Sequence, residues 1–375
     1  MNNDRLNDTF KTKEDLKEVY GYLVENKFLK KDLFPYEHSL LKEFIAESQI
    51  EEKPDILLEK IRGTFIGLAV GDALGRYLEG LATDLIYLEE YASEDFDKPG
   101  VGFISDDTQL TMGLSFSIID KGGLNPNHIA GIYAHTKIVG PGKATLDALK
   151  KYKQSTPWYA CGTVSAGNGV AMRSSPIGIY YRDEYEALRL ASMLQAIITH
   201  NDPMVIASGI VTALAVRLTI NMKSGYLDTL ENKIKFLKAL AESIKGIEDG
   251  EDYRTRNTKE TDTLYNRINF TIPDMLKKNI TLNEADRIFW SGAYVLESLP
   301  FALFAFLRTP SEFNKVLLDG VNFSHDSDTV GAIACGLAGA YNGRGVIDSK
   351  FTDTLERRDD IEKMAEKMSK VKYQA

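Results

Sequence analysis

The chain has 375 residues, 43% of them hydrophobic, with a formal net charge of −9 and two cysteines. That apolar content supports a substantial core, as one large domain or two ordinary ones, and sets aside unfolded and collagen-like chains. The acidic balance argues against a general nucleic-acid binder, which needs clustered Lys and Arg to neutralise phosphates, so a small polar ligand or a protein partner is expected.

The N-terminal residues lack the apolar core of a signal peptide, and no uninterrupted apolar run approaches about 18 residues; a soluble, cytoplasmic protein without membrane contact is expected. Residues 12–30 carry Leu16, Val19, Tyr20, Leu23 and Val24 at helical spacing, with Thr12 and Asp15 placed for a capping interaction. A second amphipathic stretch runs from Tyr36 to Ile50, and the charged "EEKPD" at 51–55 reads as a break. Residues 1–55 therefore form a helical extension, separable from a domain at 56–375.

From Ile56 onward helical periodicity dominates, in "LLEKIRGTFIGLAVGDALG", "DTQLTMGLSFSIID", "EYEALRLASMLQAIITH", "MVIASGIVTALAVRLTI" and "DRIFWSGAYVLESLPFALFAFL". Alternating strand patterns of useful length are hard to find, so the fold class is all-α, a single compact helical domain with the N-terminal extension. Residues 246–264 are polar and turn-rich and read as a surface loop. Cys161 and Cys335 sit among Gly and Ala, as buried small apolar residues rather than a disulfide or zinc pair.

Gly63, Gly67, Gly71 and Gly75 recur every four residues, one helix stripe without side chains. Each glycine inside a helix costs about 1 kcal/mol against alanine, so four of them call for close approach of another helix. The run after Asp328, with Gly331, Ala332, Gly336, Gly339 and Ala340, supplies a partner.

Two polar turns carry carboxylates: "ISDDTQLT", with Ser105, Asp106, Asp107 and Thr108, and "HDSDT", with Asp326, Asp328 and Thr329. Taken singly, each reads as a helix start in which one aspartate caps the helix. Taken together they offer oxygen ligands, and carboxylates buried in one place need compensating positive charge. An all-oxygen set suits Mg²⁺, Mn²⁺ or Ca²⁺ and disfavours zinc.

In their order along residues 58–345, "GTFIGLAVGDALG", "SDDTQLT", "GNGVAMRSSPIG", "THNDP" and "HDSDTVGAIACGLAGAYNG" resemble the ADP-ribosylglycohydrolase family. The resemblance implies an all-α fold with a binuclear magnesium centre, manganese being the substitute. Position by position it implies Ser105, Asp106 and Asp107 as ligands from the first turn, and Asp326, Asp328 and Thr329 from the second. The implied reaction is hydrolysis of the glycosidic bond joining ADP-ribose to a protein side chain. Glu79 matches an acidic position near the scissile bond in relatives of the serine-linked branch. "IVGPGKATLDAL" resembles the family's diphosphate loop, with Gly140 and Gly142 admitting backbone N–H groups and Lys143 adding charge. Ser165, Gly167, Asn168 and Gly169 would lie along the ADP-ribose, and His200 would contact substrate or serve as a structural histidine. Arg173 is expected to pair with a core carboxylate. Two departures from the family pattern are Ser105 in place of threonine and Ser324–His325 where many relatives carry glycine; His325 would narrow the pocket or touch the leaving group.

The expected mechanism positions or deprotonates a water with Asp107, Asp326 or Glu79 as the anomeric carbon becomes oxocarbenium-like. The substrate is an ADP-ribosylated protein, arginine- or serine-linked. The alternative is a non-catalytic binder that grips an ADP-ribosyltransferase through residues 1–55, as extensions of toxin-immunity hydrolases do; a third reading is a Mg²⁺-dependent phosphoester hydrolase.

Overall fold

The computed structural model describes residues 3–29, 38–50, 53–81, 86–92 and 100–373. Among them the structure is helical, and β pairing is confined to isolated bridges such as Thr163 with His200. The all-α expectation holds.

The N-terminal helix Lys13–Glu25 starts where the spacing placed it. The Thr12 hydroxyl accepts from the Asp15 N–H at 3.1 Å, and the Asp15 carboxylate accepts from the Thr12 N–H at 3.0 Å. Leu16, Val19, Tyr20 and Leu23 face inward. The second stretch is the helix Ser39–Ser48, with residues 36 and 37 outside the described residues; its first N–H groups, Leu40 and Leu41, donate to the Glu242 carboxylate.

The described residues of the extension pack against the domain. Leu6, Phe10, Leu16, Val19 and Leu23 are fully buried in the same apolar core as the rest of the chain. Phe10 and Leu124 exchange backbone hydrogen bonds at 2.8 and 3.2 Å, and the buried Trp158 indole N–H donates to the Leu6 carbonyl at 2.9 Å. A periodic apolar face shows that a helix needs a partner, and here the partner is the domain itself.

The glycine stripe determines how the centre of the molecule packs. The helix Pro54–Gly75 runs antiparallel to Ser327–Asn342 with backbone against backbone. A Cβ on Gly63 would stand 2.3 Å from the Gly339 carbonyl oxygen, on Gly67 2.4 Å from that of Cys335, on Gly71 2.1 Å from that of Gly331, and on Gly75 2.2 Å from that of Ser327. One partner climbs by four residues as the other descends by four, so the stripe is a continuous seam. The seam brings the C-terminal end of the first helix beside the N-terminal end of the second.

The helix Pro203–Ile220 has the length and mean hydropathy, 1.8, of a membrane span, with Arg217 as its only charged residue. It is 94% buried inside the molecule and forms the core. Residues 246–264, read as a surface loop, are partly internal. Glu248 is buried and accepts from the Leu264 and Tyr265 N–H groups at 2.9 and 3.0 Å. Tyr253 donates to Asp202 at 2.7 Å.

Candidate active site

The antiparallel seam leaves Asp72, one turn from the end of its helix, facing both acidic turns. Asp72 is fully buried and accepts from the Ser105 N–H at 3.0 Å, the Thr108 N–H at 3.1 Å and the Thr108 hydroxyl. It thereby caps the helix Asp106–Lys121 from outside. The capping role expected for an aspartate of the first turn thus falls to another helix, and Asp106 and Asp107 are free to face the cavity. In the second turn Asp326 makes no capping bond to its helix. One Asp328 oxygen accepts the Thr329 N–H at 2.8 Å, and Asp326 accepts from the Asn168 amide.

Carboxylate oxygens of Asp72, Asp107 and Asp328 lie within 4.8 Å of one another, as do those of Glu79, Asp326 and Asp328. Asp328 belongs to both groups. All but Glu79 are buried, and Asp107 Oδ1 has no hydrogen-bond partner. Burial, and then the charge of Asp72, push Asp106 up to about 8. Burial followed by Asp72 holds Asp107 well above the usual carboxylate range, and burial followed by Asp107 does the same for Asp328. Burial likewise raises Glu79, with Asp326 adding to it, and outweighs the hydrogen bonds that favour the charged form of Asp72 and Asp326. An orphaned buried oxygen within a crowd of strained carboxylates fits a hard divalent cation, and the oxygen-only donors match magnesium or manganese rather than zinc. Asp72 stands within reach of such a cation, but its oxygens already accept three N–H or O–H groups, so it positions the first turn rather than ligating. Ser105 lies beneath the cavity, its hydroxyl donating to Asp107 Oδ2 at 3.2 Å.

These shifts carry a stability consequence. A carboxyl whose folded pKa lies above its unfolded value binds its proton more tightly in the folded state, so stability falls as pH rises between the two values. Metal-free protein is expected to melt at lower temperature as pH rises from about 5 to about 8, with Mg²⁺ restoring most at the upper end. Thermal melts with magnesium and with chelator across that range check it; a flat metal-free profile would remove the electrostatic account of the cluster.

Above the carboxylates a hollow of about 220 Å³ is lined by Glu79, Asp106, Asp107, Gly140, Gly142, Lys143, Ser165, Gly167, Asn168, Gly169, His200, Asp326, Asp328 and Thr329. Every sequence-predicted site residue except Ser105 is therefore brought to one place. A larger hollow of about 700 Å³ near Glu242 and Lys245 has no comparable chemistry, since its buried Glu248 is satisfied by two backbone N–H groups.

Gly140 sits at φ +80, the left-handed region that favours glycine, and Gly142 precedes the helix Lys143–Lys153, whose first N–H groups border the hollow. Lys143 is exposed and pairs with Asp147 at 2.6 Å. Across the hollow, a Cβ on Gly169 would lie 3.1 Å from His200 Cε1, so the missing side chain admits the imidazole. Burial, then the charge of Arg173, pull His200 down to about 3, which leaves it neutral at pH 7. Its Nδ1 lies 2.8 Å from the Thr199 hydroxyl, which accepts from Arg173 at 2.8 Å. If Thr199 in turn donates to Nδ1, the ring proton sits on Nε2, on the side of Gly167 and Gly169.

Arg173 departs from expectation. It donates to the Gly169 and Gln195 carbonyls, the Gln195 side chain and Thr199, and no carboxylate is among these partners. Its charge braces the loop that carries Asn168 and Gly169. Asp72 was missed, as were Ala144, Thr145, Met172 and Ala293 of the hollow's wall, which carry no signal in isolation.

The ADP-ribosylglycohydrolase family model matches residues 53–375. ADP-ribosylhydrolase ARH3 of Mus musculus is 24% identical over 84% of this chain and 92% of its own length. ADP-ribosylarginine hydrolase Tri1 of Pseudomonas putida is 24% identical over 84% and 79%, and the ADP-ribosyl-[dinitrogen reductase] glycohydrolase of Rhodospirillum rubrum is 25% identical over 80% and 91%. A solved ADP-ribosylglycohydrolase-related protein complex superimposes with a TM-score of 0.58 at 25% identity, covering 84% of this chain and 99% of that one.

Proposed function

The chain belongs to the ADP-ribosylglycohydrolase family, hydrolases that act on ADP-ribosylated proteins, and we propose that it cleaves ADP-ribose from protein side chains with a pair of magnesium ions. Asp106, Asp107, Asp326, Asp328 and Thr329 would hold the ions, with Ser105 behind Asp107. The observation that carries this reading is the unpartnered, buried Asp107 oxygen beside an aspartate common to two carboxylate groups. When bound, the ions supply Lewis acidity for the ribose hydroxyls and an attacking water.

The chain's own residues do the rest. Asn168 fixes the Asp326 carboxylate through its amide, and Asp72 holds the first turn in place through the Ser105 and Thr108 N–H groups. Gly140, Gly142 and the first turn of the Lys143–Lys153 helix present N–H groups suited to a diphosphate. Glu79, exposed at the edge of the cluster, is placed to take the proton of a water at the anomeric carbon.

A role against an ADP-ribosylating toxin rests on residues that precede the family segment. Because the inward apolar face of their described residues is buried in the core, a transferase would meet their outer side, which carries the exposed Leu40 and Ile50 among polar residues.

Release of intact ADP-ribose, followed by mass spectrometry from matched arginine-linked and serine-linked proteins with Mg²⁺ and with chelator, tests the proposal. Metal-dependent ADP-ribose is expected from at least one. AMP in its place, with phosphoribose left on the protein, would indicate cleavage at the diphosphate by a phosphoester hydrolase, and no product from either would reject the catalytic reading.

A further inference from the structure

Trp290 and His325 lie far apart in sequence and stack face to face, with ring centroids 5.2 Å apart and planes inclined by 24°. Neither ring lines the hollow, but both are close in sequence to residues that do: Trp290 is three residues before Ala293, and His325 adjoins Asp326. The His325 carbonyl accepts the Gly80 N–H at 2.8 Å, which ties the stack to the turn bearing Glu79.

The indole is held outward. Trp158 is fully buried, whereas Trp290 is 45% exposed. It occupies left-handed backbone at φ 69 and is followed by Ser291 at φ 27, conformations that side-chain-bearing residues adopt only when their surroundings impose them. The surroundings are specific. The Ser291 carbonyl accepts the Asp326 N–H at 3.0 Å, the Ser291 hydroxyl accepts the His325 N–H at 3.1 Å and donates to Asp286, and His325 Nε2 lies 3.5 Å from Asp286. The same segment is tied to the opposite wall, where the Ala293 carbonyl accepts the Asn168 N–H at 3.2 Å. An apolar side chain held in solvent by bonds to a catalytic turn is placed for a ligand.

We propose that the Trp290–His325 stack is the subsite for the side chain that carries ADP-ribose, and that it selects a guanidinium. An exposed aromatic plane stacked on His325, whose ring reaches Asp286 and which adjoins Asp326, attracts a planar, delocalised cation. A serine linkage offers neither the plane nor the charge. The inference rests on the hydrolase reading and adds to it the linkage and the residues that choose it.

The test compares kcat/KM for matched arginine-linked and serine-linked ADP-ribosylated peptides in the full chain, in Trp290→Ala and in Trp290→Phe. The arginine preference of the wild-type protein is expected to fall about tenfold in Trp290→Ala, chiefly through KM, and to return largely in Trp290→Phe, which keeps an aromatic face. A wild-type preference for serine, or an equal loss on both peptides, would overturn the proposal while leaving the hydrolase reading intact. Trp290 also reports binding without turnover, since the only other tryptophan is buried. With chelator present, the arginine-linked peptide is expected to shift tryptophan emission and the serine-linked peptide to leave it unchanged. The same response to both, or to neither, would overturn the subsite even if no hydrolysis were found.

Discussion

Gly71→Ala is expected to leave little folded protein. The new Cβ would stand 2.1 Å from the Gly331 carbonyl oxygen, 2.3 Å from its carbon and 2.8 Å from the Ala332 nitrogen. All three are backbone atoms of a buried helix, so no rotamer change relieves the overlap; the helices must part, and the seam from Gly63 to Gly75 opens with them. Overpacking a core by a methyl costs about 1–3 kcal/mol when side chains can give way, and here they cannot, so a loss above about 4 kcal/mol is expected. Gly336→Ala is the control. It lies on the same partner helix, its Cβ would meet Leu68 at an ordinary 3.5 Å, and alanine is the better helix former. Urea unfolding should find Gly336→Ala within about 1 kcal/mol of wild type and Gly71→Ala largely unfolded without denaturant. Equal effects would mean that the seam is not the constraint.

That contrast also shows what was legible in the sequence. A period of four in glycines announces a helix face that another backbone must touch, because nothing local favours glycine inside a helix. Which residues it touches was not legible, since register between distant helices is decided by packing; Gly331 and Gly339 press on Gly71 and Gly63, whereas Gly336 faces Leu68 and Thr64 of the same helix at ordinary distance. The residues proposed to hold the metal were readable as oxygen donors in two turns before helices. Their freedom to face a cavity was not, because it depends on Asp72 capping a helix start 33 residues away. Arg173 and the extension share one lesson. A charged residue and an amphipathic helix each declare that a partner exists, but in the folded chain the guanidinium found carbonyl oxygens and the helix found the domain's own core. The stack of Trp290 on His325 left no trace in either local motif, since its geometry arises from a backbone twist at Trp290 and Ser291.

Asp328→Asn should abolish turnover and stabilise the metal-free protein. Asp328 is the one carboxylate common to both acidic groups, and the amide keeps its shape and can still accept the Thr329 N–H. What it removes is a negative charge that burial, Asp107, Asp326, Glu79 and Asp72 all oppose in the absence of a cation. With a cation bound the sign would reverse, because the same negative charge would then help to hold it. A loss of kcat on the order of a thousandfold is expected, since the electrostatics at the reacting centre are then incomplete. In chelator at about pH 8 the variant should melt above wild type, and its melting temperature should vary less with pH, since one group with a raised pKa no longer loses its folding advantage as pH climbs. Added Mg²⁺ should stabilise it less than wild type. Activity lost together with a lower metal-free melting temperature would instead make Asp328 a structural hydrogen-bonding residue, and activity retained would move the shared position to another carboxylate. Opposite signs for stability and turnover at one residue are what a site built to hold cations requires, because the repulsion that weakens the empty cluster is the attraction that binds the metal.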